Sequence, residues 1–210
     1  MAINVFNHPC RDDVNKILTP IAQDLRPQYR ITALHTPVVL PLTNSREIGG
    51  YAFSIGLPFG PKWIALNCDR FFQDERYMGE FVLARQVALF DRPSRYLHIP
   101  LSAIIISIAS IASTILFPSS IVAPIVITAL TGLICAHFVA KKEQENEKYA
   151  DLTAYRSRKD EHKELIIRNL CEKAEEEKNR KDNPFSSFIK NNFSSYPSYQ
   201  ERHRQLSTKG

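Results

Sequence analysis

The most distinct pattern in the chain is an apolar stretch in its middle. From residue 96 to residue 140 the sequence contains no Lys, Arg, Asp or Glu. Pro118, Ser119 and Ser120 divide this stretch into residues 99–117 and 121–140. Each half has about twenty residues, enough for a helix to cross the ~30 Å hydrocarbon core of a bilayer. The pattern predicts a transmembrane helical hairpin, and the alternative is a soluble protein with two buried core helices.

Charged residues next to this stretch predict how the hairpin is oriented. Arg92 and Arg95 precede the first helix, and Lys141 and Lys142 follow the second. A hairpin places both ends on one side, and the positive-inside rule makes that side the cytoplasm. The first residues lack the basic and apolar regions of a signal peptide. We therefore expect a multi-pass membrane protein with two transmembrane helices and both termini in the cytoplasm.

The chain before the hairpin has the pattern of a small α+β unit. Apolar residues at helical spacing predict a helix near the N-terminus; they are Val14, Ile17, Leu18, Ile21 and Leu25. Four segments then have strand-like composition, at residues 29–34, 37–42, 49–56 and 62–67. A further helix is expected to begin at Asp74 and to end before Pro93. We assign residues 1–95 to the N-terminal α+β part of one domain.

The chain after the hairpin is rich in charge. We divide the rest of the sequence into the hairpin at residues 96–140, one long charged helix at residues 141–182 and a tail at residues 183–210. The charge run within the helix is typical of a solvated helix face. The tail is rich in Pro, Ser and aromatic residues, and it is expected to be a loop with one short terminal helix.

Charge and cysteine content exclude several classes of protein. Lys and Arg number 27 and Asp and Glu 22, for a net charge of +5, and the two signs alternate along the chain. We therefore expect no nucleic-acid partner. The four cysteines, Cys10, Cys68, Cys135 and Cys171, form no CxxC or CxxH pair, so we expect reduced thiols and neither a zinc knuckle nor a redox motif.

Four short segments follow one another in an order that resembles a known family. They are residues 51–56, residues 80–84, the E-x-x-A-D segment that ends at Asp151, and residues 196–206, with Pro197, Arg202 and Leu206 in register. Together they resemble the membrane zinc metallopeptidases of the HtpX and CAAX-prenyl endopeptidase group. In that family an edge strand binds substrate, the next helix carries HExxH, and E-x-x-A-D supplies a third zinc ligand. The resemblance implies an α+β fold, a small gluzincin-like metallopeptidase domain interrupted by the two-helix transmembrane hairpin.

The metal-binding motif itself is missing from the expected position. In the family register, HExxH falls on the segment that begins with Arg85 and Gln86 and ends with Leu89. That motif needs His at i and i+4 on one helix face, and a Glu at i+1 that takes a proton from zinc-bound water. Arg85 cannot deprotonate to bind metal, the Gln86 amide cannot act as a base, and Leu89 has no ligand atom. Glu147 is then the only retained ligand-like residue, so we predict no catalytic residue, no metal and no cofactor.

The charged residues near the position where the family binds zinc are then predicted to have a structural role. If Arg85 faces the second helix near Glu147 or Asp151, an ion pair would replace zinc as the cross-link between helices. The alternative is that Arg85 points into water. The resemblance implies structural roles for Glu147, Asp151 and Arg202.

The apolar stretch, the family resemblance and the missing HExxH motif together predict a membrane-anchored, catalytically inactive metallopeptidase-like protein. Its edge strand is expected to bind peptides or membrane-protein segments, because strand addition needs only backbone hydrogen bonds; the residues assigned to it are Tyr51, Ala52, Phe53 and Ser54. One alternative is an active membrane metalloendopeptidase with rearranged or partner-supplied ligands, which would carry zinc. The other is a membrane-anchored interaction protein that docks a partner through the 141–182 helix. The expected partners are therefore the lipid bilayer and peptide segments.

Overall fold

The structure is a computed structural model, and its regular elements follow one another in a simple order. It describes residues 13, 16–18, 20, 21, 25, 38–42, 52–56, 62–67, 76–90, 92, 94–179 and 183–209. The strands are β1 (Val38–Leu42), β2 (Ala52–Gly56) and β3 (Lys62–Asn67). The helices are α1 (Arg76–Leu89), α2 (Ser94–Leu116), α3 (Val122–Arg156), α4 (Asp160–Asn179), α5 (Pro184–Phe193) and α6 (Tyr199–Lys209). The strand expected at residues 29–34 lies outside the described residues.

The three strands form one small sheet in which β3 is central. β1 pairs with β3 in parallel, with Val38 opposite Trp63, and β2 pairs with β3 antiparallel, with Ser54 opposite Ile64. Within the described residues β2 is therefore an edge strand of the sheet.

The prediction of an α+β class with a gluzincin-like domain is wrong, because the described residues are mostly helical. The strands have only five or six residues each, whereas α3 alone has 35. The prediction of an α+β class rests on the number of strand-like segments in the sequence. The fold class is decided instead by the length of the helices. Helix α3 is long because its apolar and charged segments join without a break.

The chain divides into two compact units, and the first contains the sheet. Unit 1 comprises Met1–Arg92, Glu147–Asn179 and Ser198–Gly210. Its core is built from apolar side chains of the N-terminal helical residues, β3, α1, α4 and α6, among them Leu18, Ile21, Leu25, Ile64, Phe81, Leu83, Val87, Ile166, Leu170 and Leu206. Burying each such side chain stabilises the fold by about 1.5–3 kcal/mol. The core therefore holds α1 in a fixed position beside the sheet.

Unit 2 comprises Pro93–Asn146 and Arg180–Pro197, and it contains the apolar helices. The helical spans Leu97–Leu116 and Val122–Arg156 are long and apolar enough to cross a membrane. Only 6% of the apolar window of each span is buried. Ile115, Leu116 and Ile121 are each more than 70% exposed. A core helix of a soluble protein would bury such side chains, so the alternative of two buried core helices is not supported.

The charged segment after the apolar stretch is not one separate helix. α3 continues through Lys141 to Arg156 without interruption, and α4 starts only at Asp160. The break contains no Gly or Pro. Arg158 lies in it with a side chain only 6% exposed and pairs with Glu80 of α1 at 3.4 Å. A tertiary contact, rather than a local helix breaker, accompanies the break.

The C-terminal tail is more helical than expected, since it forms both α5 and α6. The Asn183 side chain accepts a hydrogen bond from the Ser186 backbone N–H at 2.6 Å, and Pro184 occupies the first turn of α5. An N-cap Asn followed by Pro is a regular start of a helix. The sequence itself contains this signal for a helix.

Candidate functional site

Arg85 lies between two carboxylates in unit 1. Its Nη2 donates to Glu147 Oε2 at 2.6 Å, and its Nε lies 2.5 Å from Asp151 Oδ1. Glu147 and Asp151 are four residues apart on α3, so their side chains share one helix face. Of the two alternatives for Arg85, the ion pair with this helix is the one observed, and Arg85 does not point into water.

Asp151 is also bound by a second arginine. Arg202 of α6 donates from Nε to Asp151 Oδ2 at 2.7 Å and from Nη2 to Asp151 Oδ1 at 2.9 Å. This is the two-pronged geometry in which a planar guanidinium matches a carboxylate. Arg85, Glu147, Asp151 and Arg202 form what we call the ion-pair network, and it connects α1, α3 and α6.

The ion-pair network is almost completely removed from water. The side chains of Glu147 and Asp151 are 4% and 0% exposed, and those of Arg85 and Arg202 are 11% and 12% exposed. Charges at such burial are tolerated only when each has an opposite partner. Two cations face two anions here, so the network has no formal net charge.

Gln86 contacts the edge strand. Its Nε2 donates to the Ala52 backbone carbonyl of β2 at 3.2 Å, and the Gln86 residue is buried. The sequence marks Gln86 only as the position of a lost catalytic base. An amide donates where a carboxylate cannot, and that difference was the signal for this contact.

Leu89 belongs to a small apolar cluster next to the network. Ala88, Leu89 and Ala150 are buried together, and Ala150 lies between Glu147 and Asp151 on α3. Positions 85 and 89 of α1 are thus both associated with the same short segment of α3. The region where HExxH would fall is a packed helix–helix contact.

The ion pair of Glu80 with Arg158 had no counterpart in the sequence analysis. Glu80 also pairs with Arg76 at 3.1 Å, one turn earlier on α1. The i,i+4 spacing of Arg76 and Glu80 was a visible signal. Nothing local marked Arg158, because its partner lies 78 positions away in the chain.

The predicted peptide-binding residues are described only in part. Ala52, Phe53 and Ser54 belong to β2, opposite Leu66, Ala65 and Ile64 of β3. Tyr51 lies outside the described residues, and so do the side chains of Phe53 and Ser54. The main chain of β2 therefore has the edge position that strand addition requires.

The residues of the network do not fit a zinc ion. A zinc site needs several His, Cys, Asp or Glu donors around one point. Over the ranges that the structure describes, no group of three or more such residues could hold a metal. Glu147 and Asp151 are already paired with Arg85, whose positive charge opposes a second cation. Cys135 and Cys171 are free thiols, and Cys10 and Cys68 lie outside the described residues.

Comparisons of the chain with family models, curated proteins and solved structures found no match. The structure itself defines a mostly helical protein with two helices long and apolar enough to cross a membrane. A buried four-residue ion-pair network lies in the other unit. The resemblance to the HtpX group stays a prediction.

Proposed function

We propose that the chain is a membrane-anchored, non-catalytic protein that binds extended peptide segments. Its buried ion-pair network would occupy the place that zinc takes in the HtpX-type peptidases that the sequence resembles. One observation carries the proposal, the 2.6 Å bond from Arg85 Nη2 to Glu147 Oε2. It joins the position of the first histidine ligand to that of the glutamate ligand in the family register.

The same bond supports the absence of peptidase chemistry. Zinc-dependent hydrolysis needs a metal to acidify water and a base to accept the proton. Arg85 compensates the Glu147 charge that would otherwise attract a cation, and Gln86 donates its amide to Ala52. Neither group can perform its counterpart's role in the peptidase family, so the reading as an active enzyme with rearranged ligands is less supported.

Peptide binding is proposed for the β2 edge. An edge strand presents backbone N–H and C=O groups that an added strand can pair with, and this pairing does not depend on a metal. The proposed ligand is an extended segment of a membrane protein, because the apolar helices would anchor the same chain in a membrane. The alternative, docking through residues 141–182, is less supported because Ile166 and Leu170 of α4 are already buried in the core.

The proposed orientation places both termini in the cytoplasm. Lys141 and Lys142 follow the apolar part of α3, and Arg92 and Arg95 precede that of α2. Basic residues at both ends of a short hairpin are retained on the cytoplasmic side. Unit 1 would then face cytoplasmic peptide segments.

A gain-of-metal experiment tests the proposed origin of the network. The triple variant Arg85→His, Gln86→Glu, Leu89→His restores HExxH beside Glu147. After detergent purification and zinc loading, we expect elemental analysis to find about one zinc per chain in the triple variant and none in the wild type. Adding Glu147→Ala to the triple variant should lower zinc affinity, since a ligand is removed.

Two results would overturn parts of this proposal. Zinc bound stoichiometrically by the wild type and lost in Glu147→Ala would favour the active metalloendopeptidase. A folded triple variant that binds no zinc would show that positions 85, 89 and 147 do not meet as ligands. Circular dichroism and gel filtration check that each variant is folded.

Photocrosslinking tests the proposed peptide site. Benzoylphenylalanine is placed at Phe53 or Ser54 in β2 and, as a control, at Arg204, an exposed position of α6 that offers no strand edge. Peptides of alternating apolar and polar residues are added to the full chain in detergent. We expect adducts at β2 and none at α6; equal yields at both elements, or no adduct at β2, would reject the site.

A further inference from the structure

Helix α5 presents an exposed apolar face. Phe185, Phe188 and Ile189 are 72%, 57% and 44% exposed. Their i, i+3, i+4 spacing places them on one side of the helix, while Lys190, which is also exposed, lies on the other side. Three large apolar side chains on one face of a ten-residue helix are expected to be covered by something.

The C-terminal end of α5 is attached to α3 within unit 2. The Asn192 carbonyl lies 2.9 Å from His137 Nδ1, and Gln144 Nε2 donates to the Ser194 carbonyl at 2.9 Å. The rings of His137 and Phe193 also meet edge to face, with centroids 6.2 Å apart. These contacts determine at which level of α3 the short helix lies.

That level is one end of the apolar part of α3. Residues 122–140 of α3 rise by about 27 Å, close to the thickness of a hydrocarbon core. The apolar part of α3 ends at Ala140, and Lys141 begins the polar part. His137 lies three residues before Ala140, within the apolar part and about 4–5 Å from its end. Helices that lie in a membrane surface are buried by about 5–10 Å at the boundary between headgroups and acyl chains.

Aromatic rings gather at the same level. His98 of α2 meets Phe138 of α3 edge to face at 5.9 Å, and Phe188 meets Phe193 within α5 at 6.3 Å. Helices that lie in a membrane surface carry Trp, Phe and Leu on their apolar face. The ring contacts therefore connect the exposed face of α5 with the apolar surface of the two long helices.

We propose that α5 is an in-plane membrane-surface helix, whose Phe185, Phe188 and Ile189 lie at the boundary between headgroups and acyl chains. The partner is the bilayer that α2 and α3 would cross, because the attachment to His137 and Gln144 places α5 where that bilayer would end. This inference rests on the proposed membrane anchoring. It adds a third contact with lipid, made by a helix too short to span.

Tryptophan quenching by brominated lipids tests this placement in the full chain. Trp63 is the single tryptophan of the sequence, so the variants are made in a Trp63→Phe background and reconstituted into phosphatidylcholine vesicles. Phe188→Trp and Phe185→Trp report on the apolar face. Lys190→Trp is the matched control, since Lys190 is exposed and lies on the opposite side of α5 from Phe185 and Phe188. Ile134→Trp, at a site 70% exposed on α3, reports on the span.

We expect the emission of Phe188→Trp and Phe185→Trp to be lost most strongly with bromines near the headgroups. Lys190→Trp should keep its emission, and Ile134→Trp should respond to deeper bromines. Unquenched tryptophans at 185 and 188 with quenched Ile134→Trp would overturn the in-plane helix and leave the membrane anchor standing. Unquenched Ile134→Trp would overturn the membrane anchor and this inference with it.

Discussion

Arg85 and Glu147 are 62 positions apart in the chain, yet their side chains are joined by a 2.6 Å bond. The sequence between them includes both helices that are long and apolar enough to cross a membrane. Both side chains are almost fully buried. The pair therefore joins two segments of unit 1 that are distant in the chain, and its charges must remain balanced for the unit to be stable.

Removing one partner of this pair should destabilise the protein strongly. Glu147→Ala leaves two buried guanidinium groups with one carboxylate, and we expect the free energy of unfolding to fall by about 3–5 kcal/mol. Denaturant unfolding in detergent, followed by circular dichroism, measures the change. Glu145→Ala is the control on the same helix: its side chain is 65% exposed and pairs with Lys142, so the loss should stay below about 1 kcal/mol. Equal midpoints for the two variants would contradict a buried pair.

Removing both partners should be less harmful than removing one. In the double variant Arg85→Met, Glu147→Leu, Asp151 and Arg202 remain as a neutral, two-pronged pair. We therefore expect the double variant to unfold at higher denaturant concentration than either single variant, because no buried charge lacks a partner. The wild type, the two single variants and the double variant form a double-mutant cycle. If the loss of unfolding free energy in the double variant equals the sum of the two single losses, Arg85 and Glu147 do not interact in solution.

The geometry of Arg202 should matter as well as its charge. Lysine at this position keeps the charge but cannot make two parallel bonds to Asp151. We expect Arg202→Lys to lower the free energy of unfolding by about 1–3 kcal/mol. Arg204→Lys, at an exposed position of the same helix, should have almost no effect. A harmless Arg202→Lys would show that a point charge is sufficient.

The start of α4 should show a weak dependence on pH. A hydrogen bond from Lys163, together with its positive charge, lowers the pKa of Asp160 from the ordinary value of 3.8. A lowered pKa in the folded state means that the ionised form stabilises the fold above pH 3.8, and that this is lost as pH falls through the lower value.

Asp160→Asn isolates this contribution. We expect the variant to melt slightly below the wild type at neutral pH and the difference to vanish in strong acid, because Asp160 is fully exposed and its pair with Lys163 is screened by water. Melting temperatures of both proteins across an acid series test this. A difference that grows as the pH falls would have the wrong sign.

Chelation should leave the wild-type protein unchanged. If the ion-pair network holds α1, α3 and α6 together without a metal, excess chelator will not shift the melting temperature. The zinc-loaded triple variant with HExxH restored is the control, since removal of a structural metal lowers stability. A wild-type protein that melts earlier after chelation would favour the metal-containing alternative.

Local composition was sufficient to predict several features. The apolar stretch predicts two long helices because an uncharged helix of that length needs no distant partner to be recognised. α1 begins and ends near the predicted residues, since a helix boundary depends on neighbours within a turn. The pairing of Arg85 with the second helix was one of two alternatives that the family resemblance left open.

Features that depend on distant contacts could not be read in this way. Three contacts join residues that are far apart in the chain. They are those of Arg202 with Asp151, of Gln86 with the Ala52 carbonyl and of Arg158 with Glu80. The fold class was missed for a related reason, because strand-like segments say nothing of how far neighbouring helices extend. The sequence by itself determined where the apolar helices lie and which charges were available. Only the tertiary structure decided which charges meet, because burial makes an unpaired charge costly and so selects partners through space.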